Sequence, residues 1–107
     1  MPSTNDPQSV FRALADPTRR EIISMLADGS RPIAEIAAQF EMTRPAVAKH
    51  LAILREGGLI NVEEKGRERI NSLNPRALKS AADWINHFDR FWDDRLTKLK
   101  SLVEETS

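Results

Sequence analysis

Hydrophobic positions in the first third of the chain recur with the spacing of short amphipathic helices. The first apolar group predicts a helix over residues 7–14. Asp16 followed by Pro17 predicts the start of a second helix, because aspartate caps helix N-termini and proline fits the first helical turn. Gly29 predicts the end of that helix. Two short helices therefore open the domain.

Two further helices follow, with only a tight turn between them. Apolar residues three and four positions apart predict a short third helix that begins near Pro32. Thr43 and Pro45 predict the start of a fourth helix, and Gly57-Gly58 predicts its end. The two residues Glu41-Met42 allow only a tight connection between these helices.

From residue 60 the hydrophobic period changes to two, which is typical of β-strands. Ile60 and Val62 alternate with polar residues in one predicted strand, and Ile70 and Ser72 do so in the next. We predict a hairpin whose three-residue loop, residues 65–67, places Ile70 opposite Val62. Gly66 in this loop supplies the positive φ that such loops need.

The last predicted element is one long helix that begins at Pro75 and ends near residue 103. Its apolar stripe is too broad for the body of residues 7–73 to cover, which predicts a symmetric dimer through the terminal helices. The residues expected in this interface, including two from the first helix, are Val10, Phe11, Leu78, Ile85, Phe88, Trp92, Leu96 and Leu99.

The predicted order is four helices, a two-stranded hairpin and a terminal helix: a mainly α fold with a small β-hairpin. The third and fourth helices form a helix-turn-helix and the hairpin forms a wing, so we predict a winged helix-turn-helix. In this arrangement the second helix of the pair protrudes, and a helix fits the DNA major groove. A chain of 107 residues holds one such domain, residues 1–107, with a dimerisation helix at about 75–103.

Charge and composition narrow the classes of function. The formal net charge is zero, but residues 43–73 carry a net charge of +2 and residues 83–105 a net charge of −2, which suits a protein that presents one face to an anion. The absence of cysteine excludes disulfides and thiolate metal sites. Two histidines, no tyrosine and no glycine-rich phosphate loop provide no catalytic constellation, so we do not expect an enzyme.

The sequence also bears on location. No apolar run approaches the roughly 18 residues of a membrane span. The N-terminal residues 1–6 lack the charged-then-apolar pattern of a signal peptide. We therefore expect a cytoplasmic protein that does not associate with membranes.

Five segments, in order and at compatible spacing, resemble the ArsR-type winged-helix regulators. They are Asp16-Pro17-Thr18-Arg19, residues 33–37 (IAEIA), residues 44–51 (RPAVAKHL), residues 54–60 (LREGGLI) and Gly66-Arg67. The resemblance covers about residues 8–100. It implies a homodimeric transcriptional regulator, usually a repressor, that binds an inverted-repeat operator in double-stranded DNA until an effector lowers its affinity.

The resemblance maps the family's recognition helix onto residues 43–54. Within it, the residues expected to approach DNA are Thr43, Arg44, Pro45, Ala46, Lys49 and His50. Arg44 is the best candidate for a bidentate contact to guanine. His50 precedes the core residue Leu51, so a packing role is an equal alternative for it. Arg19 and Arg20 are expected to be structural or surface residues.

The wing residues expected to reach DNA phosphates or the minor groove are Lys65, Arg67 and Arg69. A purely solubilising role is the alternative, because Glu63, Glu64 and Glu68 are interleaved with them. The alternative function for the whole chain is a winged-helix module for protein contact. Basic residues on the recognition helix argue against that alternative, since such a module would expose an apolar patch.

We predict no metal ion and no cofactor. Thiolate sensors of the family carry cysteines in the first helix of the helix-turn-helix, and the matching residues 32–35 contain none. The last helix offers Asp83 and His87 but no second histidine, whereas tight zinc sites need three or four convergent ligands.

The effector remains open. An aromatic group on the last helix is expected to form dimer core and to pack on the first helix, while a pocket for a small apolar effector is the alternative. The group consists of Trp84, Phe88, Phe91 and Trp92.

Overall fold

A computed structural model describes residues 7–106, apart from the side chains of residues 92–94, 105 and 106. Its elements are α1 (Gln8–Leu14), α2 (Pro17–Asp28), β1 (Arg31–Pro32), α3 (Ile33–Phe40), α4 (Arg44–Glu56), β2 (Ile60–Lys65), β3 (Glu68–Leu73), α5 (Pro75–Asn86) and α6 (Asp89–Thr106). This order confirms the mainly helical, winged helix-turn-helix architecture.

The predicted helix starts are confirmed by their capping hydrogen bonds. The Asp16 carboxylate accepts the backbone N–H of Arg19 at 3.1 Å, and the Thr43 hydroxyl accepts that of Ala46 at 3.3 Å. Each cap satisfies one of the N–H groups that a helix start leaves without a partner. Local sequence therefore fixes where α2 and α4 begin.

Capping changes the ionisation of Asp16. The hydrogen bond from the Arg19 backbone is the largest cause that lowers the pKa of the Asp16 carboxyl below its ordinary value of 3.8; desolvation opposes it, and the charge of Arg19 reinforces it. The ionised carboxylate is thus the form that the fold prefers.

One hydrophobic core joins the first four helices to the base of the sheet. Its fully or nearly fully buried side chains are Val10, Ala13, Ile22, Ile23, Leu26, Ile36, Ala37, Val47, Leu51, Leu54, Leu59, Ile60 and Ala81. Because α2, α3 and α4 each contribute one side to this core, their opposite sides face solvent.

The sheet contains a strand that the periodicity did not predict. β1 pairs antiparallel with β3, which also pairs antiparallel with β2, so the order is β1-β3-β2. β1 spans only two residues, too few to produce an alternating pattern. It ties the start of α3 to the wing.

The predicted hairpin register is wrong by one residue. Val62 lies opposite Asn71 instead of Ile70, and the loop is the two-residue turn Gly66-Arg67 with Gly66 at a φ of 63°. A one-residue shift exchanges the two faces of a strand, and Asn71 is indeed buried. Its amide donates to the Arg31 carbonyl at 3.3 Å, so the β1 backbone supplies the partner that a buried amide requires.

The single terminal helix was also a wrong prediction, because the chain forms α5 and α6 with a break at residues 87–88. The His87 N–H is shared between the carbonyls of Asp83 and Trp84, and the Phe88 N–H reaches Ile85. The hydrogen bonds thus change from i−4 to i−3 over two residues.

Over residues 7–106 no helix is long and apolar enough to cross a bilayer.

The C-terminal end of α4 packs closely on α1. A Cβ placed on Gly57 would lie 3.0 Å from the Ser9 carbonyl oxygen and 3.4 Å from the Ala13 Cβ. A glycine at this position therefore sets the distance between the two helices.

Gly57→Ala is expected to lower the free energy of unfolding by about 1–3 kcal/mol, because the added methyl group forces α1 away from α4. Gly29→Ala is the matched control: its Cβ meets nothing within 4 Å, so its effect should stay within about 0.5 kcal/mol. Urea unfolding of both variants measures the difference, and equal losses would contradict the close packing.

Asp16→Asn keeps a capping oxygen and removes the charge. Because folding lowers the carboxyl pKa below 3.8, the carboxylate contributes stability that is complete above that pH and is lost as the pH falls through the lowered pKa. We expect the wild type to melt at a higher temperature than the variant near neutral pH, with the gap closing in acid. A gap that does not change with pH in thermal melts would contradict the role of the charge.

Candidate nucleic-acid interface

A tight turn holds α4 against α3. Glu41 adopts the left-handed conformation with a φ of 54°, and the Met42 N–H donates to the Ala37 carbonyl at 3.0 Å. Phe40 and Met42 on either side of this turn pack on the core. The turn therefore fixes which side of α4 faces outward.

The predicted recognition residues lie at the start of α4 and mostly face solvent. Thr43, Arg44, Pro45 and Lys49 are exposed, and Ala46 is half-buried. Among the ion pairs formed by the described residues, none involves Arg44 or Lys49. Both positive charges are therefore available to an anion in solution.

His50 differs from the other predicted recognition residues, because its side chain turns towards the start of α2. Its Nδ1 lies 3.4 Å from the Arg19 Nη1 and 4.0 Å from the Asp16 carboxylate. The ring is half-buried, with a side-chain exposure of 22%. The packing role that the sequence left open is thus present, and a remaining edge of the ring is accessible.

Arg19 and Arg20 fasten the end of α1. Arg19 donates through Nε to the Ala13 carbonyl at 2.7 Å and through Nη2 to the Arg12 carbonyl at 3.2 Å. Arg20 donates to the Leu14 carbonyl at 2.7 Å. The structural role expected for these arginines is therefore observed, and the contact with His50 is the part that sequence reasoning missed.

The basic wing residues lie at the far end of the hairpin. Lys65, Arg67 and Arg69 are all exposed. Lys65 lies opposite Glu68 and Arg69 opposite Glu64 in the strand register, but the described residues show no ion pair between them. The wing therefore presents both signs of charge, with Arg67 in the turn itself.

A cleft of about 330 Å³ separates α4 from the wing. Arg69 and Arg55 line it together with Ala48 and Ala52. Arg55 was absent from the predicted site, although its spacing of seven from Ala48 and three from Ala52 places it on this side of α4. The cleft adds a second arginine beside the wing.

Asp83 and His87, the two side chains of the C-terminal region that the sequence analysis considered as metal ligands, make other contacts. Asp83 is engaged by Lys79 at 3.2 Å, and the His87 ring packs edge-on against Phe88 at 5.4 Å. Over the part of the chain that the structure describes, no three histidine, aspartate or glutamate side chains converge as metal ligands.

The predicted dimer residues divide into those that are buried or partly covered within their own chain and those that are exposed. Val10 is buried in the core of its own chain, which leaves it no surface for a partner, and Leu78 is half-buried. Phe11 is partly covered by the edge of Trp84 at a ring distance of 5.6 Å, while Trp92 lies outside the described side chains. The large apolar residues of α5, of α6 and of the break between them that are between 39% and 61% exposed are Trp84, Ile85, Phe88, Phe91, Leu96, Leu99, Leu102 and Val103.

Comparison with known proteins shows which family has this sequence and architecture. Residues 16–62 match the family model of bacterial regulatory proteins of the arsR family. An HTH-type transcriptional regulator of Mycobacterium tuberculosis is 34% identical over 104 residues, which cover 97% of this chain and 94% of that protein. The transcriptional repressor SdpR of Bacillus subtilis is 34% identical over 82% of this chain and 98% of its own.

A solved structure agrees with these relatives. It is the homodimeric winged helix-turn-helix DNA-binding domain of a possible ArsR-family regulator from Mycobacterium bovis, with a TM-score of 0.63 and 25% identity over 73% of this chain and 74% of that one. The relatives are regulators and not enzymes, in agreement with the composition. The chain belongs to the ArsR family of bacterial transcriptional regulators.

Proposed function

We propose that this protein is a homodimeric transcriptional repressor that binds an inverted-repeat operator in cytoplasmic DNA through α4 and the wing. The observation that carries the proposal is the exposed start of α4, where the charges of Arg44 and Lys49 have no ion-pair partner among the described residues. A protruding helix with free basic residues fits the major groove, where arginine can bind the N7 and O6 atoms of guanine.

The wing supports the same function. Lys65, Arg67 and Arg69 are exposed on the element that follows α4 in the chain, and basic side chains there suit phosphate contacts, which orient a protein without selecting sequence. Arg55 extends this basic surface along the cleft between α4 and the wing. We therefore expect α4 to contact bases and the wing to contact phosphates.

Pairing of two copies is supported by the exposed apolar side chains of α5 and α6. Residues such as Leu96 and Leu99 form a stripe of a size that soluble monomers rarely leave in water. The homodimeric relative supports a twofold arrangement, and the name of SdpR supports repression. In such a dimer the two α4 helices would lie about 34 Å apart, in successive major grooves.

The surface of α4 disfavours a protein-contact module. A docking helix of that kind would present an apolar patch, whereas the outward side of α4 carries Arg44, Lys49 and Arg55. The effector of this repressor is either a small apolar molecule held near the aromatic residues Trp84, Phe88 and Phe91 or none.

Arg44→Ala is expected to weaken binding to the operator by about 1–3 kcal/mol per half-site and to relax the preference at one base pair in each half-site, because each subunit loses one bidentate base contact. The operator is first obtained by selecting bound sequences from a random DNA pool. Fluorescence anisotropy titrations against the operator, single-base variants and random DNA then measure the change.

Two further arginine variants serve as controls for Arg44. Arg67→Ala should weaken all DNA sequences alike and reduce the salt slope by about two, because it removes one phosphate contact from each subunit of the dimer. Arg76→Ala, at the start of α5 and separated from the wing turn by the length of β3, should change neither quantity. Equal losses on operator and random DNA for Arg44→Ala would refute its base-reading role.

Leu99→Asp is expected to separate the dimer, because it introduces a charge into the apolar stripe of α6 that two paired copies would remove from water. Sedimentation velocity at low micromolar concentration distinguishes monomer from dimer. Thr97→Asp is the matched control, since residue 97 lies on the opposite side of the same helix. A Leu99→Asp variant that still sediments as a dimer would show that the interface lies elsewhere.

A further inference from the structure

We propose that Arg19 is a positioning residue for DNA binding: it holds His50 in one neutral tautomer whose Nε2–H donates a hydrogen bond to a DNA phosphate. The inference rests on the proposed function, because it requires that α4 bind DNA. It states that Arg19 and His50, which lie 31 positions apart in the sequence, act together in one contact with DNA.

Hydrogen bonds to α1 hold the guanidinium of Arg19 in place independently of its contact with His50. Nε donates to the Ala13 carbonyl at 2.7 Å and Nη2 donates to the Arg12 carbonyl at 3.2 Å. These two bonds leave Nη1 as the nitrogen that reaches across to α4, and it lies 3.4 Å from the His50 Nδ1. The donor is therefore fixed by α1 and α2 and does not depend on α4.

An arginine at this position selects the histidine tautomer. The guanidinium has only donors, so a hydrogen bond from Nη1 requires an unprotonated Nδ1 on His50. The Asp16 carboxylate would select the opposite tautomer, but at 4.0 Å from Nδ1 it lies beyond hydrogen-bond distance, and it already accepts the backbone N–H of Arg19. The proton of the neutral ring is then on Nε2.

The geometry of the ring directs that proton outward. The two ring nitrogens point in nearly opposite directions, so a ring whose Nδ1 faces the protein body has Nε2 at its outer edge. No hydrogen bond from Nε2 is recorded among the described residues, and the side chain keeps an exposure of 22%. His50 also lies one turn along α4 from Ala46 and next to Lys49, within the segment that the proposed function assigns to DNA.

A phosphate oxygen is the acceptor that this donor fits. A single N–H cannot make the paired contacts by which side chains distinguish bases, whereas phosphates accept single donors from many residue types. Because a neutral ring brings no charge, its contact releases no counterion. Loss of the contact should therefore lower affinity without changing the salt dependence, unlike the loss of a lysine or arginine contact.

Two pairs of variants test the proposal. Glutamine carries its amide nitrogen where histidine has Nε2, and asparagine carries it where histidine has Nδ1. We expect His50→Gln to bind DNA within about threefold of the wild type and His50→Asn to bind about tenfold more weakly, on operator and random DNA alike, with an unchanged salt slope. Both variants leave Arg19 intact, so the comparison does not depend on the stability of an Arg19 variant.

The second pair separates the contact with His50 from the fastening of α1. Arg19→Met removes both, whereas Arg20→Met removes only a bond to an α1 carbonyl, that of Leu14. Proton–nitrogen correlation spectra of the imidazole, recorded in mildly alkaline buffer without DNA, report the tautomer directly. We expect a single tautomer with the proton on Nε2 in the wild type and in Arg20→Met, and a mixture in Arg19→Met.

The outcomes distinguish this inference from the proposed function. If wild-type protein binds no DNA selected from a random pool, the proposed function fails. If it binds DNA but His50→Asn binds as tightly as His50→Gln, or the wild-type proton is found on Nδ1, or Arg19→Met leaves the tautomer unchanged, then the inference fails while the proposed function stands.

Discussion

Burial of one narrow side of α4 is the constraint on which the rest of the structure depends. Val47, Leu51 and Leu54 are spaced four and three apart, so they lie on one side of the helix, and all three are buried. Removing each from water is worth about 1.5–3 kcal/mol, which exceeds the helix-propensity differences of up to about 0.7 kcal/mol among the residues that follow Pro45. Packing of these three side chains therefore decides which other side chains of α4, charged or not, the protein displays.

The parts of the fold that could be predicted are those that short stretches of sequence determine. Asp16-Pro17 and Thr43 mark helix starts by hydrogen bonds that span three residues, and the structure contains those bonds. The hairpin register could not be predicted, because a period of two identifies a strand without stating which face is buried. The answer depends on Asn71 and the β1 carbonyl it contacts, 40 positions away. The break at residues 87–88 could not be predicted either, because it contains no glycine or proline.

The candidate site divides in the same way. The family resemblance identified Arg44 and Lys49, and both are exposed. Lys49 lies across α4 from the buried side, whereas Arg44, seven positions before Leu51, is exposed in the first turn of the helix. The placement of His50 did not follow, since it borders the buried side and its neighbour Arg19 comes from another helix. Arg55 was missed because the cleft it lines exists only once the wing has folded back along α4. The residues that were predicted correctly differ from those that were not in their tertiary neighbours and not in their residue types.

The zero net charge of the chain is compatible with a DNA-binding surface, because ions screen charges over about 8 Å at physiological salt. The molecule is 63 Å along its longest axis, and residues 83–105, which include most of α6, carry a net charge of −2. Charges on α6 that lie several screening lengths from α4 contribute little to its potential. Acids close to the basic residues matter more, and within the wing Glu63, Glu64 and Glu68 reduce the local field around Arg67. The potential at α4 is therefore set by its own uncompensated bases, and the overall balance of charge affects solubility more than recognition.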